Sequence, residues 1–148
     1  MSGFPVNGRG CVSAGLGYKA RMEKLFLVAA GGAAGSVARY LTGVAAARWA
    51  GGGWPWGTLA VNLVGGLLMG LLVGALAHRG GADQERVRLL VGVGFLGGFT
   101  TFSAFSLEVA QMIERRALGE AFVYVVGSVV LSTAALFAGL ALMRRLAA

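Results

Sequence analysis

Four long apolar runs, at about 25–47, 58–77, 87–114 and 121–143, limit what this chain can fold into more than any other feature. A helix rises about 1.5 Å per residue, so roughly 20 apolar residues cross the hydrocarbon of a bilayer. Each run is long enough. Charged residues make up only 13% of the chain, against about a quarter in a soluble domain. Too little polar material remains to cover a globule in water. The expected fold is an all-α membrane protein of four transmembrane helices within residues 22–148. Gly31…Gly35, Gly66…Gly70, Gly70…Gly74 and Gly94…Gly98 repeat the G-x-x-x-G spacing. Small residues let membrane helices approach closely where the hydrophobic effect cannot drive association.

The flanks agree with this picture. The formal charge is +7, but Arg79, Arg86, Arg88, Arg115, Arg116, Arg144 and Arg145 stand at the ends of apolar runs. Anchoring at lipid headgroups explains them better than nucleic acid, which is not expected as a partner. Lys24, Arg79, Arg86, Arg88, Arg144 and Arg145 fall on one side of a four-span chain, and Arg48, Arg115 and Arg116 on the other. The excess favours termini inside. Cys11 and His78 are each the only residue of their type, which excludes an intrachain disulfide and argues against zinc or iron–sulfur sites. Residues 1–21 lack a signal-peptide core. They are expected to be a mobile tail, or to precede a physiological start at Met22.

The third run carries the chemistry. Its apolar stretch 87–99 is about two-thirds of a span, and then Gly97-Gly98-Phe99-Thr100-Thr101-Phe102-Ser103-Ala104-Phe105-Ser106 interrupts it. Gly97-Gly98 is expected to let the backbone leave the helix, and Thr100-Thr101 to bond locally. Carbonyls freed at depth must be buried or face a cavity, and they can hold a hard cation. Phe102 and Phe105 share a helix face. Such aromatics most often pack, but their ring edges are partially positive and can face an anion. Asn62 offers amide donors to an anion or to a neighbouring helix. Tyr124, Ser128 and Ser132 recur every four residues, with Thr133 beside them; hydroxyls there line a path or bond back to the helix. Arg39 inside the first span must face protein or water. Glu108 is the acidic counterpart. No catalytic triad, metal-ligand cluster or deep carboxylate pair exists, so no enzyme is expected.

Over 22–146 the chain resembles the Fluc (CrcB) family of fluoride channels. The resemblance is carried by GGAAGSVARY (31–40), GWPWGTLAVNLVGG (53–66) and GFLGGFTTFSAFSLE (94–108), with Tyr124, Ser128 and Ser132 following. It implies an antiparallel, dual-topology homodimer with two pores in the inner membrane, with fluoride as the permeant ion. It implies a structural Na⁺ at the dimer centre on the backbone carbonyls of Gly97 and Thr100. It places fluoride beside Asn62, Phe102, Phe105, Ser103, Tyr124, Ser128 and Ser132, and Arg39 near a vestibule. Two departures stand out: Ala104 replaces the family's usual Thr, and the six-to-three charge excess is larger than equal insertion both ways implies, so pairing with a related partner of opposite orientation is the alternative to the homodimer. Two rival readings are a proton-coupled small-molecule exporter, which needs a titratable carboxylate at depth, and a non-transporting helper of another membrane complex.

Overall fold

The computed structural model describes residues 9–51, 53–77 and 82–147. It is all-helical among these residues. Helix α1 spans Arg9–Ala50, α2 Trp56–Ala77 and α6 Leu118–Ala147. The third span is composite: α3 (Ala82–Val87), a π-helix (Arg88–Leu96), α4 (Gly97–Phe99) and α5 (Ser103–Glu114). Four stretches, Tyr18–Ala50, Trp56–Ala77, Asp83–Glu114 and Leu118–Leu146, are long and apolar enough to cross a membrane. Residues 9–21 of the expected tail continue α1 as helix. Residues 1–8, His78 and Arg79 lie outside the described residues.

The pairing is not sequential. α1 packs on the first half of the third span, and α2 packs on α6. Glycines make both seams. A Cβ on Gly31 or Gly35 would strike the backbone carbonyl of Leu90 or Phe95, and one on Gly98 would sit 2.5 Å from the Gly32 carbonyl. On the second seam, Gly66, Gly70 and Gly139 meet the carbonyls of Ser132, Leu136 and Leu67. Backbone lies directly on backbone there, which is how membrane helices gain packing energy. A half-exposed clasp closes one end, with Lys24–Glu85 and Arg86–Glu23 each at 2.8 Å. Such pairs contribute at most about 1 kcal/mol each, but they place the starts of the first and third spans on one side.

The break itself corrects one expectation. Gly97 and Gly98 remain helical, Gly97 at φ −63° and ψ −37°. The chain leaves the helix at Thr100, whose ψ is 159°. Gly98 serves close approach to α1 instead of conformational freedom. The departure falls on a threonine because Asn62 and Thr101 supply the lost hydrogen bonds there.

Candidate functional site

Asn62, in the middle of α2, grips the break from the side. Its Oδ1 accepts the Thr101 N–H at 2.9 Å and its Nδ2 donates to the Thr101 carbonyl at 3.0 Å. The side-chain amide thus replaces a peptide neighbour for the one residue that has left the helix, as buried backbone demands. The interhelical reading of Asn62 is realised, and one Nδ2 hydrogen still remains. The Thr101 hydroxyl takes the Ala104 N–H at 3.2 Å, which restarts the helix as α5.

Two carbonyls lose their helical donors in the process. A continuous helix would bring the Thr101 N–H to the Gly97 carbonyl and the Ala104 N–H to the Thr100 carbonyl. Both N–H groups go elsewhere. The Thr100 carbonyl instead accepts Arg39 Nη1 at 3.3 Å. Arg39 is half-buried on the break. That contact explains how a guanidinium is tolerated within a span, where a central arginine costs about 2.5–3.5 kcal/mol on insertion scales.

Beside the break lies a cleft of about 320 Å³, lined by Asn62, Phe102, Phe105, Ser128, Ser132 and Thr133 among others. The buried Ser128 and Ser132 hydroxyls have no hydrogen-bond partner among the described residues. The common fate of such serines, a bond back to their own helix, is not realised here. Unpartnered buried hydroxyls are rare, and both of these belong to residues that line the cleft. Phe102 and Phe105 stand 5.6 Å apart between ring centroids, tilted by 40°. Phe105 is 9% exposed, but Phe102, the residue at the start of α5, is 78% exposed. Ser103 lies outside the cleft, exposed, 3.3 Å from the Thr101 hydroxyl.

Tyr124 sits one turn along α6 from Ser128, 1% exposed, its ring 5.2 Å from Phe105. Its hydroxyl donates to Glu108 Oε2 at 2.6 Å, and the Thr58 hydroxyl donates to Glu108 Oε1 at 2.6 Å. Glu108 is therefore held by a hydroxyl on each oxygen. Sequence reasoning missed Thr58. Its signal was there: four residues before Asn62, it occupies the same face of α2.

Comparison with known proteins fits this geometry. The profile of the family described as "CrcB-like protein, Camphor Resistance (CrcB)" matches residues 26–140. The chain is 72% identical over 124 residues to a protein of Phenylobacterium zucineum named "Fluoride-specific ion channel FluC", covering 84% of this chain and 98% of that one. Proteins of the same name from Caulobacter sp. and Agrobacterium fabrum are 66% and 56% identical, over 84% of this chain and 98% and 99% of theirs. By profile and by identity over nearly the whole length of its relatives, the chain belongs to the CrcB family.

Proposed function

We propose that this chain forms a fluoride-selective channel in the bacterial inner membrane, passively exporting fluoride and lowering its toxicity. One observation carries the reading beyond its relatives' names. The cleft sets two unsatisfied hydroxyls, on Ser128 and Ser132, opposite a phenylalanine pair and beside an amide. Hydroxyl and amide donors replace the hydration of a small anion, and aromatic ring edges add positive potential without inviting a cation. HF enters cells uncharged and dissociates. An inside-negative potential then drives the anion out, by about 2.3 kcal/mol per charge per 100 mV. Glu108, closed by two hydroxyls, offers little to a proton-coupled exporter.

The functional unit in this reading is an antiparallel, dual-topology homodimer. The exposed Phe102 ring supports it, since a second chain would cover that ring and close the open side of the cleft. The Gly97 carbonyl, freed by the diverted Thr101 N–H, and the second lone pair of the Thr100 carbonyl, whose other partner is Arg39 Nη1, suit a hard cation. Four of them, two from each chain, would hold Na⁺, which supplies positive charge that pins the two breaks together. Ser103 and Arg39 belong to the pore region through that assembly.

The direct test is anion efflux from liposomes containing the purified protein. Fast fluoride loss with no chloride loss is the expected outcome; folded protein that releases no fluoride would refute the channel. Within a working channel, Phe102→Ile or Phe105→Ile removes a ring edge worth about 0.5–1.5 kcal/mol, so flux should fall about two- to tenfold. Undiminished flux in both variants would remove the aromatic role.

A further inference from the structure

The two glycine seams leave one pair of neighbours unzipped. α2 and the third span are tied by Asn62 and Thr101, but farther along they part. A Cβ on Gly92 would meet only the flexible end of Leu72, at 3.2 Å, whereas Gly31 and Gly66 lie against backbone. A groove of about 530 Å³ with mainly apolar walls opens there. Its α2 wall is Met69, Leu72, Val73 and Leu76, one helix face by spacing. The third span supplies the other wall with Gly92 and the exposed Val93, and Arg88 stands at one end. The Gln84 side chain closes that end by donating to the Leu76 carbonyl, one of the last four of α2, at 2.9 Å.

We propose that this groove binds an anionic phospholipid, with an acyl chain along α2 and the phosphate on Arg88. The inference rests on the membrane-spanning fold and not on which ion permeates. An acyl chain there supplies the contacts that α2 and the third span fail to make with each other. Arg88 is the only charge among the residues that line the groove. Glu85, three residues before it, is taken by Lys24 at 2.8 Å. The surrounding charges reinforce Arg88. The clasp joins the starts of the first and third spans, and Gly74 lies against Met143, so α2 and α6 finish at that same end. There Glu23, Asp83 and Glu85 outnumber their partners Lys24 and Arg86 by one. Lys19, Arg21, Arg88, Arg144 and Arg145 have no carboxylate partner among the described residues, which leaves a net charge of +4. A guanidinium donates two parallel N–H bonds to a phosphate. Basic pockets between membrane helices hold anionic headgroups in this way. A zwitterionic lipid presents the same phosphate, but its ammonium is repelled by these cations.

The test is native mass spectrometry of the full chain in detergent, titrated with phosphatidylglycerol or phosphatidylcholine. Wild type should bind phosphatidylglycerol about tenfold tighter, the worth of one hydrogen bond to a charged group. Arg88→Gln should remove most of that preference. Arg145→Gln loses the same charge at the same end but outside the groove, and should stay within about twofold of wild type. Val93→Trp fills the groove from its exposed side and should weaken both lipids about tenfold, the loss of roughly two buried methylenes. Equal binding of the two lipids by wild type would overturn the proposal. So would an R145Q loss as large as that of R88Q, because it marks diffuse surface charge instead of a site. A folded V93W that keeps full affinity for phosphatidylglycerol would also overturn it, and a V93W of lowered oligomeric state would assign the groove to a second copy of the chain. If V93W does not fold, R88Q against R145Q still decides. Fluoride efflux plays no part in this readout, so the channel reading stands or falls separately.

Discussion

Asn62→Leu should abolish most of the fluoride flux, by more than tenfold, while the four spans still insert. The change keeps the branched side-chain shape, at a somewhat larger volume, but removes the two hydrogen bonds that bracket Thr101. Interhelical side-chain bonds in membranes average only about 0.6 kcal/mol. That average applies where the freed groups find new partners. Here the freed groups are a backbone N–H and C=O within a break, each costing about 1–3 kcal/mol if left unpaired. The break would reclose or wander, and the carbonyls of Gly97 and Thr100 would lose their placing. Asn62→Asp separates the two roles. It retains an acceptor for the Thr101 N–H but loses the donor and adds a charge that repels an anion. Efflux with a fluoride electrode, together with size-exclusion profiles, reads both variants. Wild-type flux in N62L would mean that something other than this amide holds the break.

Gly35→Ala should destabilise the detergent-solubilised protein by about 1–3 kcal/mol or more, the range for overpacking a close interface. A single methyl has this effect because its obstacle is the Phe95 carbonyl, part of a backbone that no rotamer change can move aside. Gly43→Ala, two turns further along α1, is the matched control. Nothing lies within 4 Å of a Cβ there. Alanine also has up to about 1 kcal/mol better helix propensity than glycine, so G43A should be neutral or stabilising. Thermal unfolding of the two variants side by side decides the matter. Equal midpoints would mean that α1 and the third span do not touch along this seam.

The spans were legible because lipid imposes a length. The second run, expected at 58–77, is helix from Trp56 to Ala77, and the others match to within a turn or two at most ends. The ends extend beyond the apolar runs because polar helix formers such as Lys24 and Glu85 continue the helix into the headgroup region. The interruption of the third span was also readable, but not its hinge. Glycine marks both flexibility and close approach, and only the partner helix decides which; Gly98 lies against Gly32, so its freedom is unused. The π-helix over Arg88–Leu96 had no sequence signature. The Glu108–Thr58–Tyr124 bracket was hidden too, since it joins three helices through bonds 16 and 50 residues apart in sequence. Local spacing reports a face, never what faces it.

The non-sequential pairing also has a temporal side. Arg39 finds its only described partner 61 residues later, and Asn62 finds Thr101 39 residues later. At about 5–20 residues per second of synthesis, Arg39 waits roughly 3–12 s for the Thr100 carbonyl to exist. The first two helices are therefore made with a guanidinium and an amide still unmatched. Neither glycine seam can have closed by then. The flanking charges therefore bias the orientation of the nascent chain before any packing within the finished subunit exists.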